Sequence, residues 1–101
     1  GSIGDNQLGG WYSYRAAKAA QNQLLRTLAI EWRRRLPQCC VSLLHPGTTA
    51  TPLSEPFRSG VAATALFSPE QAAAYLLAVL AARTPADSGS FWAWDGQPIP
   101  W

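Results

Sequence analysis

An α/β fold with parallel strands is what this sequence predicts, and three observations carry that expectation. A run of good helix formers extends from about Trp11 or Tyr12 to Leu36, where Pro37 closes it. A nearly unbroken apolar segment of strand length, Cys39 to His45, comes next. A second helix and a second short strand segment come after it. Strands that alternate with helices imply a parallel sheet.

The opening, Gly1 to Gly10, is turn-rich and reads as a loop. In the long helix, Ala17, Gln21, Leu24, Leu28 and Trp32 fall on one face, with Leu25 and Ala29 beside it. That pattern predicts a broad apolar stripe. The Cys39–His45 run lacks the alternation of a half-exposed strand and suits a parallel strand covered on both faces. It ends in Pro46-Gly47 and the polar stretch Thr48 to Pro52, the region beyond a strand's carboxyl end where open α/β sheets bind ligands. Pro56 to Leu66 reads as a flexible or lid-like connection. Ser68 is placed to cap a second helix, with Pro69 at its first position and Glu70-Gln71 in its first turn, running to about Arg83. Thr84 to Gly89 turns, and Ser90 to Trp94 makes the last strand before Asp95-Gly96. Two strands do not make a stable doubly covered sheet, so the chain reads as the second half of something larger.

At 101 residues, with 48% hydrophobic and 14% charged residues, the composition is that of one globular domain at most. A formal charge of +2 is too small to argue for nucleic acid. The basic run Arg33-Arg34-Arg35 sits at a helix C-terminus, where it complements the dipole and faces water. No apolar run approaches the length of about 18 residues that a membrane span needs, and no signal peptide is expected. The expected compartment is the cytoplasm. Cys39 and Cys40 are adjacent within a strand, so they point to opposite faces and read as small buried hydrophobes. One histidine and no Cys-x-x-Cys give a metal site no support.

The chemistry-bearing pair is Tyr14 and Lys18. A spacing of four puts both on one helix face. A phenol is a poor acid or base at neutral pH until a nearby ammonium favours the phenolate, which makes the pair a sensible proton donor and acceptor for a carbonyl or alcohol. The bland alternative is an aromatic ring with a lysine stem lying over it. His45, ending a buried strand, is expected to have a structural partner for its ring. Trp92, Trp94 and Trp101 are expected to anchor the C-terminal tail. Trp11 and Tyr12 fit either a substrate cleft or helix-entry packing.

These residues resemble the short-chain dehydrogenase/reductase family. Tyr14-x-x-x-Lys18 matches its active-site motif at the start of a long helix, and Ser2, twelve positions earlier, lies near its catalytic serine. His45-Pro46-Gly47 with Thr51 is similar to the family's Pro-Gly segment that holds the nicotinamide. The stretch from Gly1 to Arg15 and the ending Trp94-Asp95-Gly96-Gln97-Pro98-Ile99-Pro100-Trp101 resemble the C-factor-like and sniffer-like carbonyl reductase branch.

The resemblance implies the C-terminal half of a Rossmann-like, doubly wound parallel sheet. Residues 1–101 would be its catalytic portion, and the N-terminal dinucleotide-binding half would be absent. It implies Tyr14 as acid/base, Lys18 on the nicotinamide ribose and beside Tyr14, and Ser2 on the substrate carbonyl. Pro46, Gly47, Thr49 and Thr51 would lie around the carboxamide of NAD or NADP. A small carbonyl or alcohol substrate and a homo-oligomer built through the long helix are implied as well. The family's glycine-rich turn, its NAD/NADP-selecting residue and its tetrad asparagine are not found in this sequence. The chain alone is therefore expected to be inactive. Two alternatives stand beside this reading: a non-catalytic fragment acting as an interaction or signalling module, and a stand-alone helical dimerisation domain.

Overall fold

A computed structural model of the chain describes residues 1–57 and 65–101. The connection expected over residues 56–66 therefore lies mostly outside the described residues.

Helix α1 spans Tyr12–Arg35. No side chain caps its N-terminus. Gly9, Gly10 and the cap residue Trp11 instead form three successive left-handed positions, with φ of 70°, 71° and 48°. Arg15 secures that entry: its Nε donates to the Gly10 carbonyl at 2.9 Å and a terminal nitrogen donates to that of Gly9 at 3.2 Å. At the other end the Leu36 amide donates to the Trp32 carbonyl at 2.7 Å, and Pro37 cannot continue the helix. Arg34 and Arg35 face solvent as expected, while Arg33 also reaches the Ser88 carbonyl at 3.3 Å.

Strand β1, Leu43–His45, pairs in parallel with a strand at Phe91–Ala93, Leu43 opposite Phe91 and His45 opposite Ala93. The expected strand from Cys39 is thus shorter than its apolar run. The cause is local. The Val41 amide donates to the hydroxyl of buried Ser88 at 3.0 Å, and the Val41 carbonyl accepts from the Gly89 amide at 2.7 Å. Those backbone groups are committed to a turn before any ladder begins. The turn also rests on α1: a Cβ built on Gly89 would lie 3.0 Å from that of Ala29, and Arg26 donates to the Gly89 carbonyl at 3.0 Å.

A second parallel pair, unexpected from the sequence, joins β2 (Thr48–Thr49) to β3 (Leu66–Phe67). Helix α2, Pro69–Ala81, packs on β3 and ends two residues earlier than expected. Its start obeys the expected capping chemistry. The Ser68 hydroxyl accepts from the Gln71 amide at 3.2 Å, while the Gln71 side chain accepts from the Ser68 amide at 3.1 Å. Ser68→Ala is expected to lose about 1 kcal/mol, a fall of roughly 4–8 °C in melting temperature for a domain this size. Thermal denaturation monitored by circular dichroism checks this. Completing the order, β4 is the Phe91–Ala93 strand.

The tail folds back over β4. Ile99 donates to the Phe91 carbonyl at 3.0 Å, and Trp101 stacks on Phe91 with centroids 5.5 Å apart. The Gly4 amide donates to the Trp101 carbonyl at 2.7 Å, so the first and last residues meet. Trp92 lies under the Arg83 guanidinium, 3.8 Å from the ring centroid. The expected anchoring role holds for Trp101; the Trp92 ring packs instead against Arg83, just beyond α2.

The core is small. Among the described residues only Ala29, Leu43, Ala72 and Val79 are buried apolar side chains. The predicted stripe on α1 is covered only near Ala29, with Leu25, Leu28 and Trp32 half-buried; Leu24 is 71% exposed. The radius of gyration, 14.5 Å, exceeds the value of about 13 Å for a compact chain of 100 residues. No helix of the described residues is long and apolar enough to cross a membrane.

Candidate active site

One turn of α1 brings the expected pair together: the Lys18 ammonium stands 5.9 Å from the Tyr14 ring centroid. Tyr14 is 44% exposed and Lys18 is half-buried. A positive charge therefore lies over an accessible phenol, the arrangement that helix spacing dictates.

Gly1 packs against this part of α1. A Cβ on Gly1 would lie 3.2 Å from that of Lys18 and 2.9 Å from the Asn22 amide nitrogen. Burial holds the Gly1 amine below its ordinary pKa, and the cations of Arg15 and Lys18 push the same way. The Gly1 amine and the Asp5 carboxylate both act in turn on His45.

His45 is open to solvent by surface area, yet neighbouring atoms desolvate its ring enough to lower its pKa below the ordinary 6.5. The Gly1 ammonium adds to the lowering and Asp5 opposes it. The expected structural partner is not seen; the ring makes no hydrogen bond to the described residues. The unfolded chain takes up a proton near pH 6.5 while the folded chain resists. His45 thus contributes stability above about pH 6.5 that is lost as pH falls toward its folded pKa. Melting temperature measured from pH 7.5 to 5 should decline less steeply in His45→Gln than in the unsubstituted protein; identical slopes would remove His45 as the cause.

Beyond β1 the chain turns at Pro46-Gly47, where Gly47 has φ +74°. Thr49 then pairs with Phe67 in β3, and the Ala50 amide donates to the Phe67 carbonyl at 2.8 Å. Ser54, which no sequence pattern singles out, organises the next turn of the chain. Its hydroxyl donates to the Thr49 carbonyl and accepts from the Thr51 amide at 3.2 Å, while the Ser54 amide donates to the Thr51 hydroxyl at 3.3 Å. The Thr49 hydroxyl is buried and has no hydrogen-bond partner among the described residues, a state that costs free energy unless something else supplies one.

Ser2 lies beside the Gly1–Lys18 contact, with its hydroxyl engaged elsewhere. It donates to the Pro100 carbonyl and accepts from the Asp5 amide at 3.1 Å.

A cleft of about 320 Å³ lies away from Tyr14. It lies further along α1, between Ala19, Asn22, Gln23 and Arg26 on one side and Ile3 and Trp101 on the other. The buried Asn22 amide nitrogen there has no hydrogen-bond partner among the described residues. Among the described residues no three His, Cys, Asp or Glu side chains converge as a metal site would require.

No family model matches the chain. It is 41% identical to a 1-hydroxy-2-glutathionyl-2-methyl-3-butene dehydrogenase of Rhodococcus sp. (strain AD45), covering all of this chain and 42% of that protein. It is 33% identical to the C-signal of Myxococcus xanthus, covering all of this chain and 55% of that protein. The chain thus spans about half the length, or less, of these curated relatives. It superposes on an NADPH-bound carbonyl reductase from chicken fatty liver with a TM-score of 0.84 and 29% identity, over 99% of this chain and 38% of that one. Carbonyl reductase Sniffer of D. melanogaster gives a TM-score of 0.81 over 99% of this chain and 37% of that one; at 24% identity this shows the fold alone.

The architecture is therefore that of the C-terminal part of a carbonyl reductase Rossmann fold. Over its whole length the chain is similar to members of the short-chain dehydrogenase/reductase family.

Proposed function

We propose that this chain is the catalytic-side portion of an NAD(P)-dependent short-chain oxidoreductase that reduces a small ketone or aldehyde, or oxidises the corresponding alcohol. The observation that carries the reading is the Lys18 ammonium over an accessible Tyr14, on the part of α1 against which Gly1 packs. Three features fit the nicotinamide end of such a cofactor: the Lys18 cation, the left-handed Gly47 turn that lets a ligand approach the backbone, and the buried, unpartnered Thr49 hydroxyl. The adenosine end requires a glycine-rich turn, which this sequence does not contain.

When bound, the cofactor supplies or accepts the hydride. This chain's residues handle the proton. In the reductive direction the Tyr14 hydroxyl donates its proton to the carbonyl oxygen, and Lys18 places positive charge where negative charge develops on the Tyr14 oxygen. Lys18 would also hold the ribose hydroxyls. Pro46, Gly47, Thr49 and Thr51 would orient the carboxamide. Ser2 donates to the substrate oxygen, which requires its hydroxyl to release the Pro100 carbonyl.

On this reading a dinucleotide-binding half completes the sheet, and exposed Leu24 and Ile30 on α1 belong to a homo-oligomeric contact. The free thiols of Cys39 and Cys40 suit a reducing compartment, the cytoplasm.

The test joins this chain to the upstream part of the Rhodococcus relative and monitors NADPH and NADH oxidation against a panel of aldehydes and ketones. Carbonyl-dependent oxidation is expected. A folded chimera that binds the cofactor and reduces nothing overturns the reading.

A second reading, an interaction or signalling module, draws support from the exposed Leu24 and Leu77 and from the 33% identity to a protein named C-signal. Titrating the folded chain with NADPH separates the two. Saturable binding favours the enzyme, and its absence with concentration-dependent association favours the module.

A further inference from the structure

Phe67, Tyr75 and Trp94 come from three different parts of the chain and meet in one aromatic cluster. Phe67 lies edge-on to Trp94 with centroids 4.6 Å apart, and edge-on to Tyr75 at 5.2 Å; Tyr75 and Trp94 are 5.2 Å apart and tilted. These are the separations and angles at which aromatic pairs attract beyond simple burial.

The cluster closes on Gly47. A Cβ built there would stand 2.7 Å from Phe67 Cε2 and 3.1 Å from Trp94 Cδ1, so both rings already touch the turn. Phe67 holds the same segment through its main chain, opposite Thr49 and bonded to the Ala50 amide. The loop from Gly47 to Ala50 is therefore gripped twice, by rings at its first residue and by a strand pair at its end. Ser54 fixes the next step through the Thr49 carbonyl.

We propose that Trp94, acting with Phe67 and Tyr75, is a positioning residue: it sets the Pro46–Gly47 turn and thereby aims the Thr49–Thr51 segment at the nicotinamide. The proposal rests on the cofactor reading under Proposed function. Trp94 itself is not assigned a contact with the ligand. The physical basis is that a left-handed glycine with open space around it samples many conformations, whereas this one is confined by two rings.

The test uses the full chain in two measurements on Trp94→Leu and Trp94→Phe. The first is the NMR shift of the Gly47 Hα protons, which the adjacent rings displace, with Leu44 in β1 as an internal control. The second is titration with reduced nicotinamide mononucleotide, a probe that needs no adenosine site. Trp94→Leu should collapse the Gly47 displacement, leave Leu44 unmoved, and weaken the probe by about tenfold, as expected for a misaligned binding segment. Trp94→Phe should restore affinity to within about threefold.

Gly47 shifts unchanged in Trp94→Leu overturn the positioning role. Gly47 shifts that collapse while probe affinity stays constant overturn its link to the ligand. If the unsubstituted chain binds no probe although Gly47 responds, the cofactor reading has failed and the aromatic clamp stands without it. Should Trp94→Leu not fold, Trp94→Phe carries the first measurement: its smaller ring must reduce the Gly47 displacement, and an unmoved Gly47 overturns the proposal.

Discussion

Tyr14→Phe is expected to lower carbonyl turnover by about 10²–10⁴-fold, the range that a positioned acid/base contributes, while the Michaelis constant for NAD(P)H stays within about twofold. The split comes from the geometry. Phenylalanine keeps the ring over which the Lys18 ammonium stands at 5.9 Å, so the cation remains where the ribose would meet it. Only the oxygen proposed to exchange a proton with substrate is gone. Lys18→Ala provides the contrast, since it removes the charge and the ribose contact together and should damage turnover and cofactor affinity alike. Steady-state kinetics on the chimera with the Rhodococcus relative distinguishes the two patterns. Turnover of Tyr14→Phe within tenfold of the parent would remove the residue from the proton step.

The second large effect belongs to Gly47→Ala. At φ +74° a Cβ costs about 1–2 kcal/mol in the left-handed region. Here it would also meet Phe67 at 2.7 Å, adding an overpacking cost of about 1–3 kcal/mol. For a chain with so few buried apolar residues, the combined loss should lower the melting temperature by about 10 °C or more. Gly96→Ala is the matched control. Gly96 has φ +83° and nothing within 4 Å of an added Cβ, so only the conformational cost applies. Equal losses at the two positions would mean that the ring contacts contribute nothing. A larger loss at Gly47 measures their steric share.

The two helices were legible in the sequence because their stop and start signals are local. Pro37 ends α1, and the Ser68-Pro69-Glu70-Gln71 run starts α2 with the bonds that its residue types predict. The Tyr14–Lys18 juxtaposition was legible for the same reason, since helix geometry alone delivers it. Strand extent was not legible. Cys39 to Ser42 has the composition of a buried strand, but the backbone at Val41 is diverted by Ser88, 47 residues away in sequence, and by Gly89 beside it. The β2–β3 pair was invisible because two-residue strands leave no periodicity to read. The aromatic cluster went unnoticed because Phe67, Tyr75 and Trp94 have no common spacing, and Trp94 groups by sequence with the tail tryptophans. A glycine after a proline, flanked at a distance by three rings, was the available hint. The exposed Leu24 shows the opposite error: a real helical stripe whose cover is not among the described residues.

The left-handed entry at Gly9, Gly10 and Trp11 bears on how this chain tolerates change in length. Each residue added to a helix turns everything after it by about 100°. Because Arg15 grips the Gly9 and Gly10 carbonyls from within the first turn, the entry sets the rotational phase of α1 as well as its starting point. One extra residue between Trp11 and Tyr14 would swing the phenol about a quarter-turn around the cylinder. Arg15 would then be carried off its two carbonyls. Several residues added earlier, between Asp5 and Leu8, would leave that phase untouched. Natural variation in length among relatives should therefore collect before Gly9 and stop there.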